Sequence, residues 1–528
     1  MQKVTSWKEL TLREKIGQTV VSLCETQKHI EMCGSIKGFA EKYPIGGLFN
    51  NEGMVKGLLT GENKDFRNVL NEYNKYLRVP LIGTADHGFY SKEIGIELPN
   101  QMALGASNDE KLAYGAGEFK AEDYKKSGVH WGFWPVCDLN LSKESPITNI
   151  RAVSDNPDLT YKIVKAEIDA MKACGVISTL KHYPGTPYDE AVDPHLAAVD
   201  NETPMELWRN TYGKLYKALI EAGAPTIMTA HNNLTDYQKE KVDGVYPPAT
   251  RSYELTTKLL REELGFRGVT ITDALVMGGF GGNQAVEYTI QSFLSGNDVL
   301  LWPVYEYIDE MEKRILSGEI EENVLDRAVE RIWNLKKEYG IIDEKEVRSE
   351  KTVAFFEERA KKISEKCLTL VNNESNVLPL SKNKEYSVCI IGVTPDDKQY
   401  DELCCLKTEL ESYGCFVAMQ RNISPDEVEK INNTYDLIVF ALSRTPHCPI
   451  GPLDFWNEEA SSVWASNCAE TSKTVVVSFG SPYFYKYYKN SKRTYINVYS
   501  RTKSTIKALV KAMFGDLKFE GISGVELL

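Results

Sequence analysis

The chain has 528 residues, more than one ordinary hydrophobic core supports, so two domains are expected. Hydrophobic residues make up 42% and charged residues 26%, the composition of a soluble globular protein. A net charge of −13, from 62 basic and 75 acidic residues, argues against nucleic acid or an anionic membrane surface as partner and is compatible with a neutral small molecule.

The opening stretch, MQKVTSWKELTLREKIGQTV, is polar and amphipathic and does not read as a signal peptide. No apolar run is long enough to span a membrane. The 11 cysteines contain no CxxC, and Cys404 and Cys405 are adjacent, which suits neither zinc spacing nor a disulfide framework. They read as reduced, mostly buried small hydrophobes, and a cytoplasmic location is expected.

Candidate strands follow in order: GQTVVSL (17–23), IGGLF (45–49), PLIGTA (80–85), VHWGFWPV (129–136), GVISTLKH (175–182), PTIMTAH (225–231), GVTITD (268–273) and NDVLLW (297–302). Helical patterns separate them. In 157–175, Leu159, Ile163, Val164, Ile168 and Met171 mark one face and Gly175 is a natural stop. Stretches 204–223 and 252–265 repeat the pattern. About eight strand–helix units suggest a (β/α)8 TIM-like barrel over 1–340, with a doubly wound open sheet as the rival. Asp86, Asp138, His182, His231 and Asp273 all fall at or just past the carboxyl ends of different strands, which favours the barrel, whose mouth collects such residues. Residues 341–375 read as a helical linker. Apolar runs at 386–393, 436–442, 474–480 and 495–500, again separated by helical patterns, predict a smaller C-terminal α/β sandwich over 376–528.

Three segments could carry chemistry. Asp273 ends an apolar strand, as a nucleophile at the barrel mouth or as an acceptor for loop amides. In Asp193-Pro194-His195, residues i and i+2 of an extended segment share a side. Asp193 could therefore orient His195 and favour imidazolium, an acid at neutral pH; a turn with a solvated His is the competing reading. Lys181 and His182 end a strand just before a Pro-Gly turn and could donate to sugar or phosphate oxygens. The GGFGG at 278–282 lacks a following Gly-Lys-Ser/Thr and reads as a flexible turn.

KHYPG followed by Asp-Pro-His resembles the KHFPGHG…D-S/T-H segment of family 3 glycoside hydrolases, in their β-N-acetylglucosaminidase branch. LTLREKIGQ, LPNQMALGAS (98–107), PVCDLN (135–140), Arg151 with Asp155-Asn156-Pro157, IMTAHN (227–232) and TITDALVM (270–277) fall in family order, as do LVNNESNVLPL (370–380), SFGSPY (478–483) and FGDLKFEGISGVEL (514–527). The resemblance implies a retaining glycosidase. Asp273 would be the nucleophile, and His195, oriented by Asp193, the acid/base. Asp86, Arg151, Lys181 and His182 would hold the hydroxyls of the non-reducing sugar, and His231 and Met277 would line the pocket. It implies no metal and no organic cofactor.

The implied reaction is release of terminal β-N-acetylglucosamine from small glycosides such as peptidoglycan or chitin fragments. A phosphorylase, a β-glucosidase with the same nucleophile and a non-catalytic sugar-binding paralogue are the alternatives, and the sequence leaves monomer and homodimer open. The chain departs from the family at three points. The D-Q-E-G-G-R region is Ala85-Asp86-His87-Gly88-Phe89-Tyr90, with Lys92 the nearby candidate to replace its missing sugar-binding Arg. The His-Gly after the Pro-Gly turn is Thr186-Pro187. Pro194 replaces a small hydroxyl residue between Asp193 and His195.

Overall fold

The computed structural model describes residues 3–50, 66–188, 192–281, 285–343, 351–446 and 453–528. They form two compact units, the first built from 1–95, 117–138 and 164–351, the second from 96–116, 139–163 and 352–528.

Each predicted apolar run of the first unit contains a strand: β1 (Val20–Leu23), β2 (Gly47–Phe49), β3 (Ile82–Ala85), β4 (Trp131–Gly132), β5 (Thr179–Tyr183), β6 (Thr226–Thr229), β7 (Val269–Thr272) and β8 (Leu300–Leu301). All pair in parallel, in two sheets ordered β8-β1-β2-β3-β4 and β5-β6-β7. Single parallel bridges, Trp131 with Ile177 and Ile271 with Val299, link β4 to the approach to β5 and β7 to the approach to β8. Both strand faces are buried, which is why the runs are continuously apolar rather than alternating. Val20, Leu48 and Leu81 join one apolar cluster, while their neighbours Val21, Phe49 and Ile82 join another with Trp131, Ile177, Met228, Ile271 and Leu301.

The amino ends of β1, β2 and β3 share one cation. Lys336, buried on helix Glu322–Glu338, donates from Nζ to Gln18 Oε1 and to the carbonyls of Gly46 and Pro80, each at 2.8 Å. Burial draws its pKa down to about 7.

The second unit contains a six-stranded sheet: β9 (Thr369–Asn372), β10 (Ser387–Val393), β11 (Phe416–Arg421), β12 (Leu437–Leu442), β13 (Thr474–Ser478) and β14 (Thr494–Asn497), ordered β9-β14-β13-β12-β10-β11. Only the β9–β14 pairing is antiparallel. Alternation divides its strands between two cores. Val388, Ile390, Val439 and Val477 pack with Leu406 and Leu509, whereas Cys389, Ile391, Phe440 and Val476 pack with Val428 and Val463. The edge strand β11 and the short β9 are only partly buried, and apolar runs did not mark them.

Segments 96–116 and 139–163 are tied into this unit by polar contacts. Asn100 donates from its backbone N to Ser500 Oγ at 3.0 Å, Asn149 Nδ2 donates to Ser481 Oγ at 3.1 Å, and Asp155 accepts from the Glu526 amide at 2.7 Å. Of the predicted linker, 344–350 lie outside the described residues, and Val353–Cys367 is a helix.

Lys336→Met should lower stability by about 2–4 kcal/mol in urea unfolding, because three buried acceptors lose their donor. A variant as stable as the parent would mean that these acceptors are satisfied without it.

Candidate active site

The chemistry-bearing residues of the first unit gather where β3, β5, β6 and β7 end. Lys181 and His182 lie in the second half of β5, before its last residue Tyr183, where the register with β6 shifts between Leu180 and Tyr183. Each meets a carboxylate. Lys181 Nζ lies 2.6 Å from Asp86 Oδ2, just past β3; the Lys181 side chain is 2% exposed and that of Asp86 46%. His182 donates its backbone N–H to Asp138 Oδ1 at 3.2 Å, and its Nδ1 lies 2.7 Å from Asp138 Oδ2. Asp138 is buried, so pairing with His182 offsets the cost of its desolvation.

Beyond β5, the Pro184-Gly185 turn is held from helical segment 205–221. Trp208 Nε1 donates to the Pro184 carbonyl at 2.9 Å, and Tyr212 Oη accepts from the Thr186 amide at 3.1 Å. Gly185 has φ +106°, and a Cβ there would lie 2.4 Å from the Tyr212 ring. Thr186, where the resemblance leads one to expect histidine, is thus a buried anchor for the turn. Residues 189–191 of the loop lie outside the described residues.

Asp193 and His195 form a pair. Asp193 Oδ1 accepts from the His195 amide at 2.9 Å and lies 2.6 Å from His195 Nδ1. The Asp193 side chain is fully buried and the imidazole 40% exposed. A carboxylate on Nδ1 keeps the proton there and leaves Nε2 to exchange a proton elsewhere.

The pair is fastened to the loop that follows Asp273. The amides of Gly278 and Gly279 donate to the carbonyls of His195 and Pro194, each at 3.0 Å. A Cβ at Gly278 would lie 2.4 Å from the Leu196 carbonyl oxygen, and one at Gly279 would lie 2.8 Å from that of Pro194. The first two glycines of GGFGG therefore permit a backbone-to-backbone contact, which replaces the flexible-turn reading; Gly282 lies outside the described residues.

Asp273 is partly exposed, and its Oδ1 accepts from the Ala274 amide at 2.8 Å. Burial pushes its carboxyl up, but His182, His231, the Ala274 amide and Lys181 together outweigh that, and its pKa lies below the ordinary carboxylate value. His231 is buried. Its Nε2 lies 2.9 Å from the Ala274 carbonyl and its Nδ1 3.1 Å from Thr250 Oγ1, an arrangement satisfied by a neutral ring that donates from Nε2. Burial draws its pKa down, against the charge of Asp273 and the bond to Ala274. Met277 packs in the apolar cluster with Ile271 and Ala274. Arg151 belongs to the second unit, where its Nη1 donates to the Ile147 carbonyl at 2.9 Å.

Among the described residues, no group of three or more His, Cys, Asp or Glu side chains is arranged to hold a metal ion. No helix of the described residues is long and apolar enough to cross a membrane.

Residues 11–335 match the model of the glycosyl hydrolase family 3 N-terminal domain. The chain belongs to glycosyl hydrolase family 3. It is a glycosidase. A β-N-acetylglucosaminidase/β-glucosidase of Cellulomonas fimi is 26% identical over 481 residues, covering 85% of this chain and 84% of that protein. β-Hexosaminidase A of Pseudoalteromonas piscicida is 32% identical over 263 residues, covering 46% of this chain and 42% of that protein. Among solved structures, a β-glucoside phosphorylase (BglX) shares the fold with a TM-score of 0.83 at 24% identity, covering 99% of this chain and 94% of that one. A family 3 β-N-acetylglucosaminidase from Paenibacillus sp. str. FPU-7 does so with a TM-score of 0.78 at 23% identity, covering 98% and 99%.

Within this family 3 chain, sequence reasoning missed several residues that hold the site together. Asp138 was noticed only as a polar residue near a strand end, not as the partner of His182. Thr250 carried no signal of its own, and the Gly278-Gly279 pair was noticed only as part of a flexible turn. Lys120 and Asp123, in the charged stretch EFKAEDYKK that sequence reasoning did not single out, are both buried. Their spacing of three was the available clue, since it puts both on one side of the helix.

Gly278→Ala should lower kcat/KM by about tenfold or more while the protein still unfolds cooperatively, because the new methyl must push the Asp193–His195 loop away. Steady-state kinetics beside a thermal melt would check this; full activity would show that the contact between the two loops is dispensable.

Proposed function

We propose that this family 3 glycosidase removes terminal non-reducing β-N-acetylglucosamine from small glycosides such as peptidoglycan or chitin fragments, with retention of configuration and through a covalent intermediate. The observation that carries the reading is the 2.6 Å Asp193–His195 pair, bound through Gly278 and Gly279 to the loop of Asp273. A lowered pKa keeps Asp273 ionised, as a nucleophile must be.

In the first step a carboxylate oxygen of Asp273 attacks the anomeric carbon while His195 Nε2 protonates the leaving oxygen, with Asp193 stabilising the imidazolium. In the second, His195 takes a proton from water, which attacks the same carbon and releases Asp273. Asp86, Lys181 and His182 would hold the sugar hydroxyls. His231 and Met277 would form the wall behind Asp273, His231 by fixing the Ala274 peptide. The chemistry would be housed in a closed (β/α)8 barrel, a reading supported by the two bridges that join the first unit's sheets, with an α/β sandwich following it. The choice of N-acetylglucosamine is supported by the Asp-x-His resemblance and by the names of the Cellulomonas and Pseudoalteromonas relatives.

One observation favours phosphorolysis as a second reading. The only carboxylate of the acid/base pair is fully buried, so the group that faces outward is an imidazole, which does not repel an incoming phosphate as a carboxylate would. Phosphate would then take the place of water and leave with the sugar as a β-1-phosphate.

Turnover of aryl β-N-acetylglucosaminide and aryl β-glucoside, each with and without phosphate, tests both readings. The first expects N-acetylglucosamine as product at a rate independent of phosphate. A preference for the glucoside by orders of magnitude would overturn the sugar assignment, and sugar 1-phosphate as main product would establish the second reading. Asp273→Asn should cut kcat by roughly 10³-fold or more while ligand binding persists. His195→Ala should cost far less on substrates whose leaving group needs no proton.

A further inference from the structure

Lys120 has no part in the reaction as derived, yet it is among the most deeply placed cations of the first unit, with 1% of its surface exposed. It lies on helix Glu110–Lys126 and points at the loop after β3. Its Nζ donates to the carbonyls of His87, at 3.0 Å, and Gly88. The same ammonium stands 4.5 Å from the centre of the Trp134 ring and 5.3 Å from that of Phe89. One turn on, Asp123 Oδ2 lies 2.8 Å from His87 Nδ1, and its Oδ1 accepts from Ser91 Oγ at 2.5 Å. Lys120 and Asp123 thus clamp residues 87, 88 and 91 by backbone and side chain together. Asp86, immediately before the clamped peptides, reaches Lys181 at 2.6 Å.

We propose that Lys120 is a positioning residue for sugar recognition: its buried ammonium fixes the His87–Gly88 backbone and thereby aims the Asp86 carboxylate. Lys92, the cation expected from the sequence to serve this region, is exposed on the surface, so Lys120 is the better placed of the two. This rests on the proposal that Asp86 holds a sugar hydroxyl.

The clamp is strongest while Lys120 is charged, because an ammonium donates to carbonyls more strongly than an amine. Burial draws its pKa down to about 8, opposed by Asp123 on its own helix, Asp86 on the clamped loop and Glu167 on helix Pro157–Ala173, and reinforced by Lys181 on β5. His87 also faces it from the loop, through the carbonyl that Lys120 holds. Since the pKa is lowered, the charged form prevails below about pH 8 and is lost above it, so sugar affinity should fall as pH rises.

The test is the pH dependence of KM and kcat on the preferred aryl β-glycoside. In the parent protein KM should rise about tenfold between pH 7 and 9, with kcat changing far less. Lys120→Met should show the raised KM already at pH 7 and no further rise. Lys120→Arg, charged throughout this range, should restore a low KM and abolish the alkaline rise. A parental KM in Lys120→Met, or an unchanged alkaline rise in Lys120→Arg, would overturn the proposal. Should either variant fail to fold, a flat parental KM from pH 7 to 9 would do so alone. Asp86→Asn separates the two layers. An unaltered KM there would remove Asp86 from sugar binding, whereas a raised KM there beside a parental KM in Lys120→Met would remove only the role of Lys120.

Discussion

Lys181 and His182 leave a strand whose two faces are buried, and each does so beside a carboxylate, Asp86 for the one and Asp138 for the other. A charge at such a position is costly unless an opposite charge is already there, and removing one partner leaves the other stranded in an apolar surround. Much of the site follows from that constraint. The carboxylates come from the ends of other strands, so the strand order that brings β3, β4 and β5 together is also what makes the Lys-His pair tolerable. Lys181 and His182 also help lower the Asp273 carboxyl against its own burial.

A second constraint is one of close approach. Asp193–His195 belongs to a connection between β5 and β6, whereas Asp273 directly follows β7. They are brought into one site by two amide-to-carbonyl bonds from adjacent glycines, at a separation that no side chain could share. On the other flank, His231 has both ring nitrogens engaged, by Thr250 and by the carbonyl of Ala274, the residue after Asp273. It supports the peptide that donates to Asp273.

Strand positions were legible because parallel strands covered on both faces leave continuous apolar runs, and every one of the eight in the first unit contains a strand. The Asp193–His195 contact was legible because two residues so close in the chain need no distant help to meet, although the segment is a turn, closed by the Leu196 amide on the Asp193 carbonyl at 2.9 Å, and not the extended stretch expected. Asp138, Lys120 and Asp123 were not. Their roles depend on partners 44, 33 and 36 residues away in the chain, and nothing local separates a buried lysine from a solvated one. The same holds for 96–116 and 139–163, whose helical and loop patterns do not say which core they join. Hydrogen bonds that join Asn100, Asn149 and Asp155 to residues more than 300 positions away do.

By itself, then, the sequence determined the residue types of the chemistry, the order of the elements that present them and the family to which the chain belongs, since all of these are carried by short stretches whose meaning is local. Tertiary structure alone decided the partners: which carboxylate meets which cation, which glycines let two loops touch, and which lysine is buried beneath the loop after β3. Burial and charge pairing are sums over neighbours from distant parts of the chain, and a linear pattern does not contain those neighbours.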